Sequence, residues 1–143
     1  MNVFQAVPDR YEGVPPINIY LLRLVYALVF VFVGFDVWSS ILSHEGTWNP
    51  VTAAAFCMWA AYSLMSLIGI FRPLKMLPLV LFEILYKLIW LTIVAYPLWS
   101  ANELAGSPAE DMVYAFLWVI LPVVAVPWKY AAIHYVFGSR RQT

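Results

Sequence analysis

Cysteine is nearly missing from this chain. Cys57 is the only one among 143 residues, which excludes an intramolecular disulfide and any cysteine cluster for a metal. It lies within an apolar run, where a small buried hydrophobe is the expected role. Charge is scarce as well. Asp, Glu, Lys and Arg make up 11% of the chain, against roughly a quarter in soluble domains. The formal net charge is zero, so no global field draws in nucleic acid or an acidic substrate, and no nucleic-acid partner is expected. Glycine-rich phosphate loops, HExxH, paired cysteine knuckles and GxSxG are all lacking, which leaves an enzymatic reading without an anchor. No catalytic residue and no metal ligand is nominated.

What the chain does have is apolar length. Hydrophobic residues reach 64% and aromatics 17%, with seven Trp and nine Tyr, rings that suit the two membrane–water boundaries. Four stretches are long enough to cross a bilayer core of about 30 Å: residues 17–38, 51–71, 77–99 and 112–130. The expected fold is all-α, a four-helix transmembrane bundle forming a single domain over residues 1–143. Pro15-Pro16 sets the start of the first span. Asp9, Arg10 and Glu12 ahead of it, and the span's length, do not read as a cleaved signal. Met1-Asn2 lacks the glycine that myristoylation needs.

Asn49 followed by Pro50 reads as a cap and first-turn proline for the second span. That span is rich in small residues, with Ala53, Cys57, Ala60 and Ala61 in one row and Ser63, Ser66 and Gly69 in another. Rows like these let helix backbones approach closely. Ser107-Pro108-Ala109-Glu110 resembles a helix start with a capping acid. Pro122 and Pro127 interrupt the fourth span and free the carbonyls of Trp118 and Val123, which neighbours must then satisfy. Trp128-Lys129-Tyr130 looks like an interfacial anchor, with an amphipathic tail reaching to Phe137.

The basic residues sort by side. Arg10, Arg23, Arg72, Lys75, Lys129, Arg140 and Arg141 fall on one side of a four-span arrangement, while the connections 39–49 and 100–111 carry none. Both termini are therefore expected in the cytoplasm. Head groups of anionic lipid suit these basic residues better than nucleic acid does.

The anomaly is in the third span, where Glu83 and Lys87 interrupt LPLVLFEILYKLIWLTIVAYPLW. Ionisable side chains at that depth are expensive and should face away from lipid. Their spacing, acid first, suits a helical ion pair. Measured along the helix from Leu77, Glu83 lies about 9 Å in and Lys87 about 15 Å in. Arg23 reaches a similar depth to Glu83 from the same side, so Arg23, Glu83 and Lys87 are expected to form one polar cluster. It reads in two ways: a clasp that sets helix register, or a site for a proton, an ion or a head group. Tyr86, Trp90 and Trp118 are candidate ligand-lining residues beside it. Asp36, near the outer end of the first span, is expected to hydrate at the interface. His44 and His134 fall on opposite sides of a core roughly 30 Å thick, so a haem held by both within one protomer is not expected.

The first span, LLRLVYALVFVFVGFDVW, resembles the opening helix of DoxX-like small bacterial membrane proteins. In those, an early arginine precedes an apolar helix that ends in glycine and a charged residue, positions matched here by Arg23, Gly34 and Asp36. Glu83 matches the acidic residue often found in that family's third helix, whereas Lys87 departs from the pattern. The resemblance implies a four-helix bundle in the bacterial cytoplasmic membrane, sometimes tied to quinone-linked redox systems. The leading expectation is a non-catalytic accessory or assembly subunit that works in the bilayer beside a membrane-protein partner or a second copy of itself. A transporter or proton-conducting unit built on Glu83 and Lys87 is one alternative. A quinone- or lipid-binding redox subunit is the other, with quinone the one cofactor considered.

Overall fold

The computed structural model describes residues 11–138; the expectations placed on Met1, Asn2, Asp9, Arg10, Arg140 and Arg141 lie outside them. Every regular element among the described residues is helical. Three helices, α1 (Pro16–Leu42), α2 (Pro50–Phe71) and α3 (Leu77–Ser100), are long and apolar enough to cross a membrane, the dimensions of a membrane protein. Two further helices, α4 (Glu110–Ala125) and α5 (Trp128–Val136), meet at a bend of 79°. Together they make a fourth crossing only if the bent pair counts as one span.

Local chemistry sets most of the helix ends. Pro16 sits in the first turn of α1, where its missing N–H costs nothing. The helix runs one turn beyond the expected end at Trp38. The Ser39 and Ser40 hydroxyls donate back to the Asp36 carbonyl at 2.9 and 2.8 Å, so these serines stay within the helix. At the start of α2, the Asn49 side chain accepts from the Val51 and Thr52 amides at 3.0 and 3.2 Å. In α3 a wider π-type turn, Leu91–Ala95, comes just before Pro97. It absorbs a residue that has no N–H to give and would otherwise crowd the preceding turn.

The fourth span, expected over residues 112–130 with interruptions at Pro122 and Pro127, is a broken pair of helices running from Glu110 to Val136. Its turn is interrupted after Leu117 and the chain bends at Val126-Pro127. The freed carbonyls have found partners. The Leu121 amide donates to Trp118 O at 3.0 Å, and the Trp128 indole Nε1 donates to Val123 O at 2.9 Å. Asn18 Nδ2, from α1, donates to Ala125 O at 3.1 Å. The break is thus tied down by two side chains, which is how irregular backbone survives at membrane depth. The expected cap at Ser107 falls ahead of the helix: the cap position of α4 is Ala109, with no side-chain cap bond, and Glu110 is its first residue. Ser107 Oγ accepts from the Ala109 amide at 3.3 Å and Glu110 accepts from the Gly106 amide at 2.6 Å.

α1 packs against α2 and α4, and α3 packs against α2 and α4. The shared core is built from Ile19, Leu22, Val25 and Tyr26 of α1, Leu77, Val80 and Ile84 of α3, and Val119 and Ala125 of α4. The second small-residue row of α2 is buried throughout, whereas of the first row only Ala60 is buried. Ser63, Ser66 and Gly69 are buried, while Cys57 and Ala61 are exposed. The expectation of a buried Cys57 is therefore overturned, because the side of α2 that carries it meets no other helix. The close approach centres on Gly69, where an added Cβ would stand 2.5 Å from the Tyr26 ring. The Tyr26 hydroxyl then donates to Pro73 O at 3.1 Å, and Trp38 Nε1 donates to Ser63 Oγ at 3.3 Å further along.

Outward, the spans stay apolar. Between 22% and 33% of the most apolar stretch of each is covered by the rest of the protein. Phe32, Phe35, Leu85, Ile93 and Ile120 all project away from the core. Water would make this surface costly, and a hydrocarbon solvent would not.

Candidate functional site

Glu83 is the one charged residue buried among the described residues, at 2% exposure. Both its carboxylate oxygens are engaged. Lys87 Nζ, one turn along α3, meets Oε1 at 2.5 Å. The Tyr62 hydroxyl, from α2, donates to Oε2 at 2.5 Å. The pair arises on one face because residues four apart in a helix project in nearly the same direction. Tyr62 reaches it because α2 and α3 form a hairpin through the turn at 72–76. Tyr62 and Glu83 each lie about 9–14 Å from that turn along their own helices, so antiparallel pairing brings them level. Charge-assisted bonds of this kind are short and strong.

Lys87 is less enclosed, with 12% of its side chain exposed. Its ammonium stands 5.9 Å from the centre of the Phe116 ring, within reach of a cation–π attraction. Tyr86 and Trp90 both contact the same ring edge to face, at centroid distances of 5.7 and 4.9 Å. Three aromatic rings from α3 and α4 thus cover the flank of the ion pair.

Two expected members of the site lie elsewhere. Trp118 is 73% exposed and does not line the flank; Phe116 does. Two residues along a helix turn the side chain by about 200°, so an aromatic on the outer face has its neighbour but one directed inward. Arg23 does not join the cluster either. It lines a separate cavity with Arg72 and Lys75 at the turn between α2 and α3. Depth along a helix follows from residue number, but it leaves the direction around the axis open. The inward direction of α1 at this level belongs to Tyr26, which is fully buried between α1 and α2. Tyr62 is the residue that sequence reasoning missed. Its signal was a lone tyrosine amid small residues, level with Glu83 in a helical hairpin.

The other singled-out residues are peripheral. Asp36 is exposed near the end of α1. His44 stacks on Trp48 with centroids 3.7 Å apart. His134 stacks on Tyr130 at 3.9 Å, and its Nδ1 lies 3.0 Å from the Tyr130 carbonyl oxygen. Among the described residues, no group of three or more His, Cys, Asp or Glu side chains is arranged to hold a metal ion.

Comparison with protein-family models, with curated proteins and with solved structures finds no match to this chain.

Proposed function

We propose that this chain is a four-span integral protein of the bacterial cytoplasmic membrane. In this reading both termini are cytoplasmic, and Glu83, Lys87 and Tyr62 form a structural clasp inside an accessory or assembly subunit. The observation that carries the clasp reading is that each Glu83 oxygen has a partner within the protein. The carboxylate is held by its own neighbours, and the pair largely neutralises itself. The Tyr86, Trp90 and Phe116 rings fill the flank where a quinone would have to lie, which favours the clasp over a redox slot.

The orientation is supported by position. Arg23, Arg72 and Lys75 share one cavity, and Lys129 lines a neighbouring one that also includes Glu12. Glu12 is common to both, so the described basic residues gather at one end, as the positive-inside rule requires of a cytoplasmic face. Membership in the DoxX-like proteins remains part of this proposal, resting on Arg23, Gly34, Asp36 and Glu83.

The test is purification from native membranes in mild detergent or nanodiscs, with identification of co-purifying chains and quinone. A stable membrane-protein partner supports the accessory reading. A lone oligomer whose Lys87 reacts readily with aqueous amine reagents would overturn it in favour of a conducting unit.

A further inference from the structure

Arg23, Arg72 and Lys75 line one cavity of about 390 Å³, together with Ile19, Phe71 and Glu12. Three cations share the cavity with a single carboxylate, Glu12, whose Oε2 also accepts from the Tyr130 hydroxyl at 2.5 Å, so positive charge is in excess there. Among the described residues the one ion pair is Glu83–Lys87, so none of the three cations pairs with a described acid. Arg23 Nε is moreover buried with no hydrogen-bond partner. An unsatisfied buried donor on a charged group is costly, and a native site with such a donor calls for something to complete it.

The missing partner must be an anion with several acceptor oxygens, since a guanidinium binds carboxylate or phosphate through paired N–H groups. Its location narrows the choice. The cavity sits at the turn between two membrane-length helices, where Arg72 and Lys75 are exposed, and Phe71 at its rim is 72% exposed. A phosphate bound among the cations would have an apolar side chain beside it, which suits a head group with its acyl chain attached. We propose that this cavity binds the phosphate head group of an anionic membrane lipid. The proposal rests on the membrane reading above and is independent of the accessory role.

The chain is purified in mild detergent, delipidated and placed in nanodiscs of phosphatidylcholine with and without phosphatidylglycerol. Native mass spectrometry then counts the lipid retained. Phosphatidylglycerol is expected to bind at least about tenfold more tightly than phosphatidylcholine. Arg23→Gln is expected to lose that preference, and Arg72→Gln and Lys75→Gln to weaken binding about fivefold each. Lys129→Gln, outside the cavity, should leave it unchanged. Should Arg23→Gln fail to fold, the two exposed positions decide the matter.

Absence of any lipid preference, or an equal loss in Lys129→Gln, overturns the site. Equal competition by inorganic phosphate or glycerol 3-phosphate overturns the lipid assignment and makes the occupant a soluble phosphate. A chain that stays in solution without detergent overturns the membrane reading, and the lipid site with it; a chain that inserts but shows no preference overturns the site alone.

Discussion

Two groups of charged side chains in this protein solve the same problem in opposite ways. Around Glu83, an acid, a base and a hydroxyl from two adjacent helices bond to one another, so that both carboxylate oxygens are engaged. Around Arg23, three bases gather about one acid, Glu12, with no ion pair among the described residues, and one guanidinium nitrogen is buried without a hydrogen-bond partner. The difference teaches where to look for external chemistry. A polar group that is satisfied internally is structure, because water and ligand have nothing to add. A charge held in place without its counter-charge is a request for one. The two groups are close along the chain's axis, yet Tyr26, wedged on Gly69 between α1 and α2, occupies the inward path that Arg23 would need to reach Glu83.

The sharpest way to break this comparison is at Glu83. Glu83→Ala strands the Lys87 ammonium and should cost about 3–5 kcal/mol, read as a lowered unfolding midpoint in detergent. Replacing both residues, Glu83→Met with Lys87→Met, should recover most of that loss or exceed the native stability. If the double variant is as unstable as the single one, the pair does more than neutralise itself. Next in size comes the wedge. Gly69→Ala places a methyl against the Tyr26 ring and should cost about 1–3 kcal/mol, with a matching loss in thermal stability. Tyr62→Phe removes one donor from Glu83 while Lys87 stays in place, an effect of about 1–2 kcal/mol. Urea or thermal melts of this variant beside Glu83→Ala would rank the two partners.

The smallest effect should fall on the other group. Arg72→Gln and Lys75→Gln should each shift stability by no more than about 0.5 kcal/mol in lipid-free detergent, since no described side chain depends on them. A large destabilisation there would mean that the cations are part of the protein's own framework, and the contrast would collapse.

Much of this was legible beforehand, and the limit has a consistent form. Pro16 and Asn49 act through their immediate neighbours, so these helix starts could be read from the residues alone. The Glu83–Lys87 pair was readable for the same reason, since a spacing of four is a local property of one helix. Errors arose wherever an inference needed direction between helices. Cys57 and Ala61 looked like packing residues as much as Ser63 and Gly69 did, because all are small and all recur at helical spacing. Trp118 was nominated beside the pair where Phe116 stands, because only the tertiary contacts say which aromatic faces α3. Pro127 announced a break in the fourth span. Its angle is 79°, and Asn18 and Trp128 satisfy the Ala125 and Val123 carbonyls just before the bend.

By itself, the sequence determined that the chain is helical and sized for a bilayer, where its charges lie along each helix, and that one acid and one base form a pair. Those follow from hydrophobic length and from intervals within a single helix. Tertiary structure alone decided which residues meet across helices: Tyr62 with Glu83, Tyr26 with Gly69, and Arg23 with Arg72 and Lys75 in place of Glu83. The physical reason is rotational. Position along a helix accumulates at about 1.5 Å per residue and can be counted, while its orientation about the axis is set by which small side chains let a neighbour come near.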